Sequence, residues 1–173
     1  MRSEIDRILA AFERSGVRYV VVGGVAVVLH GHLRLTADLD LVVQLERRNL
    51  EAALGALAEL GYRPRAPVDA RGFADPTTRE SWVREKGLIV FSFARGERPG
   101  LDVDLFAREP FPFDDVHARA VRVPLDTTSA VVIGLDDLVA LKAKSGRPGD
   151  LADIGALRAI QARGSSSGGD TRG

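Results

Sequence analysis

The chain has 173 residues and a mass of 18.6 kDa, with 45% hydrophobic and 28% charged residues, which is enough apolar material for one core and too much for a disordered chain. Its 24 lysines and arginines balance its 24 aspartates and glutamates, so no overall field draws it to nucleic acid or an anionic membrane, and a polyanionic partner would need a local patch. Cysteine is absent, which excludes disulfides, thiolate zinc sites and cysteine nucleophiles and points to a reducing cytoplasmic setting.

The opening Met1-Arg2-Ser3-Glu4-Ile5-Asp6 lacks a signal-peptide core, and no apolar run nears the roughly 18 residues a membrane span needs. Ser3 with Asp6 resembles a helix start, and Ile5, Ile8, Leu9 and Phe12 recur at helical spacing up to Gly16. Tyr19 to Val22 reads as a buried strand closed by Gly23-Gly24, Ala26 to Gly31 as a short helix, and Leu39 to Val43 as a second strand beside the first. Leu50, Ala53, Leu54, Leu57 and Leu60 form one helical face that ends at Gly61 and should cover the sheet. From Arg63 to Thr78, prolines, arginines, Gly72 and aspartates break every period, which predicts an exposed loop flanking a site.

Leu88 to Ala94 and Leu101 to Ala107 are strand-like runs joined by a glycine- and proline-containing connection, so they should pair antiparallel. Val121 to Pro124 and Ala130 to Ile133 suggest short edge strands. Leu135 to Lys144 and Leu151 to Ile160 suggest two helices, with Asp136 and Asp150 as candidate caps. Residues 1–163 read as a single domain and 164–173 as a disordered Gly/Ser-rich tail. The expected fold class is α/β (α+β): a small mixed sheet flanked by helices.

Asp38 and Asp40 carry the strongest chemical signal. Alternate residues of a strand share a face, with Cα atoms roughly 6.6 Å apart, so both carboxylates can reach the same divalent ions. Burying two like charges demands a counter-charge, and Mg²⁺ or Mn²⁺ bridged to nucleotide phosphates would supply it. The same dipeptide spacing is equally compatible with a strand start that faces water. Gly23 and Gly24 allow the backbone to approach a phosphate closely, or simply make a turn.

A third carboxylate is expected from a neighbouring strand. Asp104 is favoured because it lies deeper in its apolar run, with Asp102 as runner-up. Its role would be to bind metal and take the proton of an attacking hydroxyl. Lys142 on its helix could place a point charge on a triphosphate or belong to a solvated face; Arg34 and Thr36 could bind phosphate or brace the acidic segment. His30, His32 and His117 have no ligand-like partner set. No dinucleotide-binding or P-loop glycine pattern occurs.

Four blocks, Gly23-Gly24, Arg34-x-Thr36-x-Asp38-x-Asp40, Val103-Asp104-Leu105, and Leu138 to Lys142 followed by Gly146-Arg147-Pro148-x-Asp150-x-x-Asp153-Ile154, stand in an order that resembles the nucleotidyltransferase superfamily related to DNA polymerase β. The AbiE-type abortive-infection toxins are the branch most resembled, over roughly Arg18 to Leu157. The resemblance implies Asp38, Asp40 and Asp104 as metal carboxylates, Gly23 and Gly24 at the phosphate end of the nucleotide, and Lys142 near the triphosphate. It also implies transfer of a nucleoside monophosphate from an NTP to an acceptor hydroxyl, with RNA, protein or a small molecule as acceptor and a cognate antitoxin as possible partner.

The chain departs from longer relatives in having no large helical domain after residue 163 and in carrying glycine at position 149. Two rivals follow: a small lincosamide- or aminoglycoside-modifying nucleotidyltransferase, and an inert binding or antitoxin-like module on the same fold. An RNA acceptor predicts that several of Arg63, Arg65, Arg71, Arg79, Arg84 and Arg95 rim the site, whereas a drug acceptor predicts an apolar or acidic pocket.

Overall fold

Residues 2–96 and 100–167 are described by the computed structural model. β-branched and aromatic runs build seven strands among them: β1 Tyr19–Val21, β2 Asp38–Val43, β3 Arg63–Pro64, β4 Val90–Ala94, β5 Asp102–Phe106, β6 Val121–Pro124 and β7 Ser129–Val132. They form one mixed sheet in the order β3-β4-β5-β2-β1-β7-β6. β4 pairs antiparallel with β5 and β1 lies beside β2, as the sequence suggests, the latter pair also antiparallel. β2 and β5 run parallel, with Leu39 opposite Val103 and Leu41 opposite Leu105. β7 is not an edge strand: it lies between β1, to which it is parallel, and β6, which takes the edge.

The alternation of β2, β4 and β5 divides the sheet into two chemically different faces. Leu39, Leu41, Val43, Phe91, Phe93, Val103 and Leu105 are buried on one side, and the half-exposed residues between them, Asp38, Asp40, Ser92, Asp102 and Asp104, occupy the other. The apolar stripes of α1 (Arg2–Arg14) and α3 (Arg47–Glu59) join the same hydrophobic core as the buried strand face. Asn49 on α3 fastens that layer to the sheet. Its side chain accepts from Arg18 N at 2.8 Å and donates to Arg18 O at 3.0 Å and Gln44 O at 2.9 Å. Asn49→Ala removes all three bonds, although Arg18 O keeps Gln44 N as a partner, and is expected to cost about 2 kcal/mol, read as a lower urea midpoint at unchanged slope.

The expected loop at Arg63 to Thr78 is largely structured, which corrects the sequence reading. After β3 come α4 (Arg71–Ala74) and α5 (Pro76–Lys86). Asp75 caps α5, accepting from Thr78 N at 2.8 Å, Pro76 opens it, and Gly87 ends it in the left-handed region at φ 65°. The segment lies behind the aspartate face rather than beside it: Phe73 stacks on Phe91 at 4.9 Å, Trp82 packs on the same ring, and Arg79 is buried with Nη1 donating to Phe73 O.

Beyond β5, a short helix α6 (Phe113–Ala118), not foreseen from the sequence, precedes the β6-β7 hairpin. α7 (Leu135–Ser145) and α8 (Pro148–Ser167) then pack together around Gly146, whose φ of 65° closes the turn. Asp136 and Asp150 do not act as caps; Asp136 accepts from Gln161 and Asp150 from Lys142. α8 passes the expected boundary at 163, and residues 168–173 of the expected tail lie outside the described residues. Among the described residues no helix is long and apolar enough to cross a membrane.

Candidate active site

The parallel register of β2 and β5 sets Asp38 opposite Asp102 and Asp40 opposite Asp104, so four carboxylates from two strands share one face. Asp102 is withdrawn from the set by Arg65, whose Nε donates to its Oδ2 at 2.7 Å. Asp104, the favoured third carboxylate, lines a cleft of about 480 Å³ together with Asp40. Asp38, one pleat earlier, shares their face without lining the cleft. Burial pushes the Asp40 carboxyl up to about 6, reinforced by the charges of Asp104 and Asp38 and opposed by the Gly24 N–H and Lys142. Asp38 is also raised, by burial first and then by Asp104 and Asp102, with Arg65 acting against it.

Carboxylates that crowd one another in this way are the oxygen donor set a hard divalent cation prefers. Among the described residues, no three His, Asp or Glu side chains are drawn together tightly enough to form a finished metal cage. The donor chemistry fits Mg²⁺ or Mn²⁺, and mutual repulsion is what such an ion would relieve.

The glycine pair belongs to α2 (Gly23–Leu29), which therefore starts earlier than the sequence reading placed it. Gly23 takes φ 64°, and a Cβ there would overlap the Asp40 carboxylate, 2.6 Å from its Cγ. A Cβ on Gly24 would meet Thr36 Oγ1 at 2.7 Å. Both glycines are thus approached closely by side chains, Gly23 by Asp40 of β2 and Gly24 by Thr36 of the segment before it. Thr36 braces the acidic segment, donating to Asp38 O at 3.1 Å, and does not line the cleft.

Lys142 lines the cleft but is 5% exposed and held by two carboxylates, with Nζ 3.0 Å from Asp150 Oδ1 and 2.8 Å from Asp153 Oδ2. Arg34 also lines the cleft and pairs with Asp153. Of the helical charge run, Lys142 and Asp153 are buried and bonded, with Asp150 half-buried beside them, while Arg147 is exposed. Sequence reasoning missed the apolar wall of Ile89, Val90, Phe106, Leu138 and Leu141. Phe106 was within reach of it, since it lies two residues beyond Asp104 on the same strand face. None of Arg63, Arg65, Arg71, Arg79, Arg84 and Arg95 lines the cleft; its third basic residue is Arg147.

The glycines that follow β1, Asp40 and Asp104 of the carboxylate face, and the cations Arg34 and Lys142 thus line one cleft. The chain belongs to a nucleotidyltransferase family: residues 2–162 match the family described as nucleotidyltransferase of unknown function (DUF6036). No curated protein matches it significantly. Among solved structures it is similar to the lincosamide antibiotic adenylyltransferase LnuA bound to lincomycin, with 18% identity, a TM-score of 0.61, and 92% of this chain and 98% of that one covered. It is also similar to the antibiotic-resistance factor ANT(2'')-Ia in solution, with 17% identity, a TM-score of 0.52 and 96% of each chain covered. At these identities the structural likeness establishes the fold.

Proposed function

We propose that the protein transfers a nucleoside monophosphate from an NTP to a hydroxyl of a small-molecule acceptor. The observation that carries the acceptor class is the lining of the cleft: Asp40, Asp104 and Asp150 beside an apolar wall, with none of the six arginines expected to rim an RNA site among the lining residues. LnuA, whose fold this chain shares, was solved with such a small molecule bound. The toxin reading, with an RNA acceptor and a cognate antitoxin, predicts several of those arginines at the site, and the cleft lining favours the small-molecule acceptor instead.

Asp38, Asp40 and Asp104 would hold Mg²⁺ or Mn²⁺, which when bound supplies charge neutralisation at the phosphates. Gly23 and Gly24 line the phosphate end of the cleft with backbone and add no side chain of their own, and Arg34 and Lys142 present positive charge to the triphosphate. Asp104 accepts the proton of the acceptor hydroxyl as its oxygen attacks the α-phosphorus. The α–β anhydride bond breaks, and pyrophosphate leaves with the bonding electron pair. Positioning and electrostatics do the rest.

The test is label transfer from each α-labelled NTP, with Mg²⁺ or Mn²⁺, to a panel of lincosamides, aminoglycosides and simple polyols, run beside total RNA and cell proteins. Labelled small molecule from wild type, absent with Asp40→Asn, is the expected result. Label on RNA or protein instead returns the assignment to the toxin class, and no transfer to any acceptor favours an inert module.

A further inference from the structure

Asp153 on α8 is 4% exposed and receives two cations on one oxygen: Lys142 Nζ at 2.8 Å and Arg34 Nη1. The cations come from distant places, Lys142 from α7 and Arg34 from the segment between α2 and β2. Both line the cleft, whereas Asp153 does not and stands behind them. Two like charges converging on one spot repel unless they share a counter-ion, and a buried ammonium cannot keep its charge unpaired. Asp150 also accepts from Lys142, but it faces the cleft.

Neither cation is exhausted by these bonds. Two of the three ammonium protons of Lys142 go to Asp150 and Asp153, and Arg34 uses Nη1 on Asp153 and Nε on Leu35 O. Among the described residues that leaves one ammonium proton, the second Nη1 proton and the Nη2 amino group for an anion in the cleft. The two carboxylates on α8 thus stand in different relations to such an anion: Asp153 supports the donors from behind, and Asp150 competes with it for one of them.

We propose that Asp153 is a positioning residue that couples Arg34 and Lys142 into one two-cation phosphate receptor aimed into the cleft, and that Asp150 is the carboxylate an incoming phosphate displaces from Lys142. The proposal rests on the reading of this cleft as an NTP site. It differs from a general stabilising role because it assigns opposite effects to two acids three residues apart on one helix.

Calorimetric titration of the full chain with inorganic tripolyphosphate, and with each NTP, reads the receptor without any acceptor or turnover. Asp153→Asn is expected to raise the dissociation constant about tenfold, and Asp150→Asn to lower it a few-fold. Lys142→Met combined with Asp153→Asn should lose less than the sum of the two single effects, since both disturb Lys142 while only Asp153→Asn also releases Arg34. In the transfer assay, Asp153→Asn should raise KM for NTP with kcat at saturation changed by less.

Circular dichroism checks that the variants are folded. If Asp153→Asn is not, Asp153→Glu keeps the charge but displaces it, and a few-fold weaker binding is expected. Unchanged tripolyphosphate affinity in the folded Asp153 variant, or weaker binding in Asp150→Asn, overturns the positioning role while leaving the nucleotide site standing. Failure of wild type to bind tripolyphosphate or any NTP overturns both.

Discussion

Asp40→Asn is expected to lower nucleotidyl transfer by about 10³-fold or more and, in the same protein, to raise the stability of the metal-free fold at neutral pH. The first effect follows from removing a carboxylate of the cleft, the one that faces Asp104 across the β2/β5 ladder. The second follows from its titration. The carboxyl ionises at about 6 in the fold, against a usual value of 3.8. Between those values the folded chain keeps a proton that the unfolded chain has released, so the contribution of Asp40 to stability falls as pH rises through about 4 to 6 and stays low above it.

The displacement corresponds to on the order of 3 kcal/mol. Asparagine keeps the size of the side chain and removes the titration. The stability difference between variant and wild type should therefore be small below pH 4 and reach its full value above pH 6, measured by urea unfolding in the presence of a chelator. Excess Mg²⁺ should narrow it by binding the folded wild type alone. An Asp40→Asn protein that is no more stable than wild type at pH 7.5 in chelator would show that the carboxylate is already neutralised by the protein itself.

Gly23→Ala carries the second large effect. The residue sits at φ 64°, where an L side chain costs about 1–2 kcal/mol, and its new Cβ would be 2.8 Å from the Cβ of Asp40 as well as overlapping the carboxylate. One of the two must move, and a shift of the carboxylate of this size is expected to cost about 10²-fold in transfer rate. Gly16→Ala supplies the control: its φ is 65°, and nothing lies within 4 Å of the added carbon. It should show the backbone cost and no loss of activity. If both variants lose the same stability and both stay active, the approach of Asp40 is not what requires glycine at position 23.

Where side-chain chemistry alone decides the structure, the sequence was readable. The alternation of Asp38-Leu39-Asp40-Leu41 and of Asp102-Val103-Asp104-Leu105 announces two strands with one acidic face, and the sheet places those faces side by side. The preference for Asp104 over Asp102 came from depth in the apolar run, and it is Asp104 that lines the cleft while Arg65 holds Asp102.

Periodicity failed for α5, a helix whose apolar residues Trp82 and Val83 are adjacent and make no stripe. Its ends were nonetheless written in Asp75-Pro76 and Gly87, a cap and a stop that outweigh the missing period. The engagement of Lys142 was not readable at all. Asp150 and Asp153 lie across a turn whose geometry decides whether they meet the lysine, and only the packing of α7 against α8 settles it.

The ladder that aligns the acids also bears on when the chemistry appears as the chain folds. Asp40 pairs with Asp104 across a parallel register, and a parallel pair cannot close through a tight turn. Between them the chain must fold α3, β3, α4, α5 and β4, and the entropy of closing that long loop has to be overcome before any carboxylate meets its neighbour. The β4-β5 and β6-β7 pairs, by contrast, are local in the chain. The same ladder pairs Leu39 with Val103 and Leu41 with Leu105, so the acidic face forms only when the two halves of the sheet join and close the centre of the core, after the local hairpins.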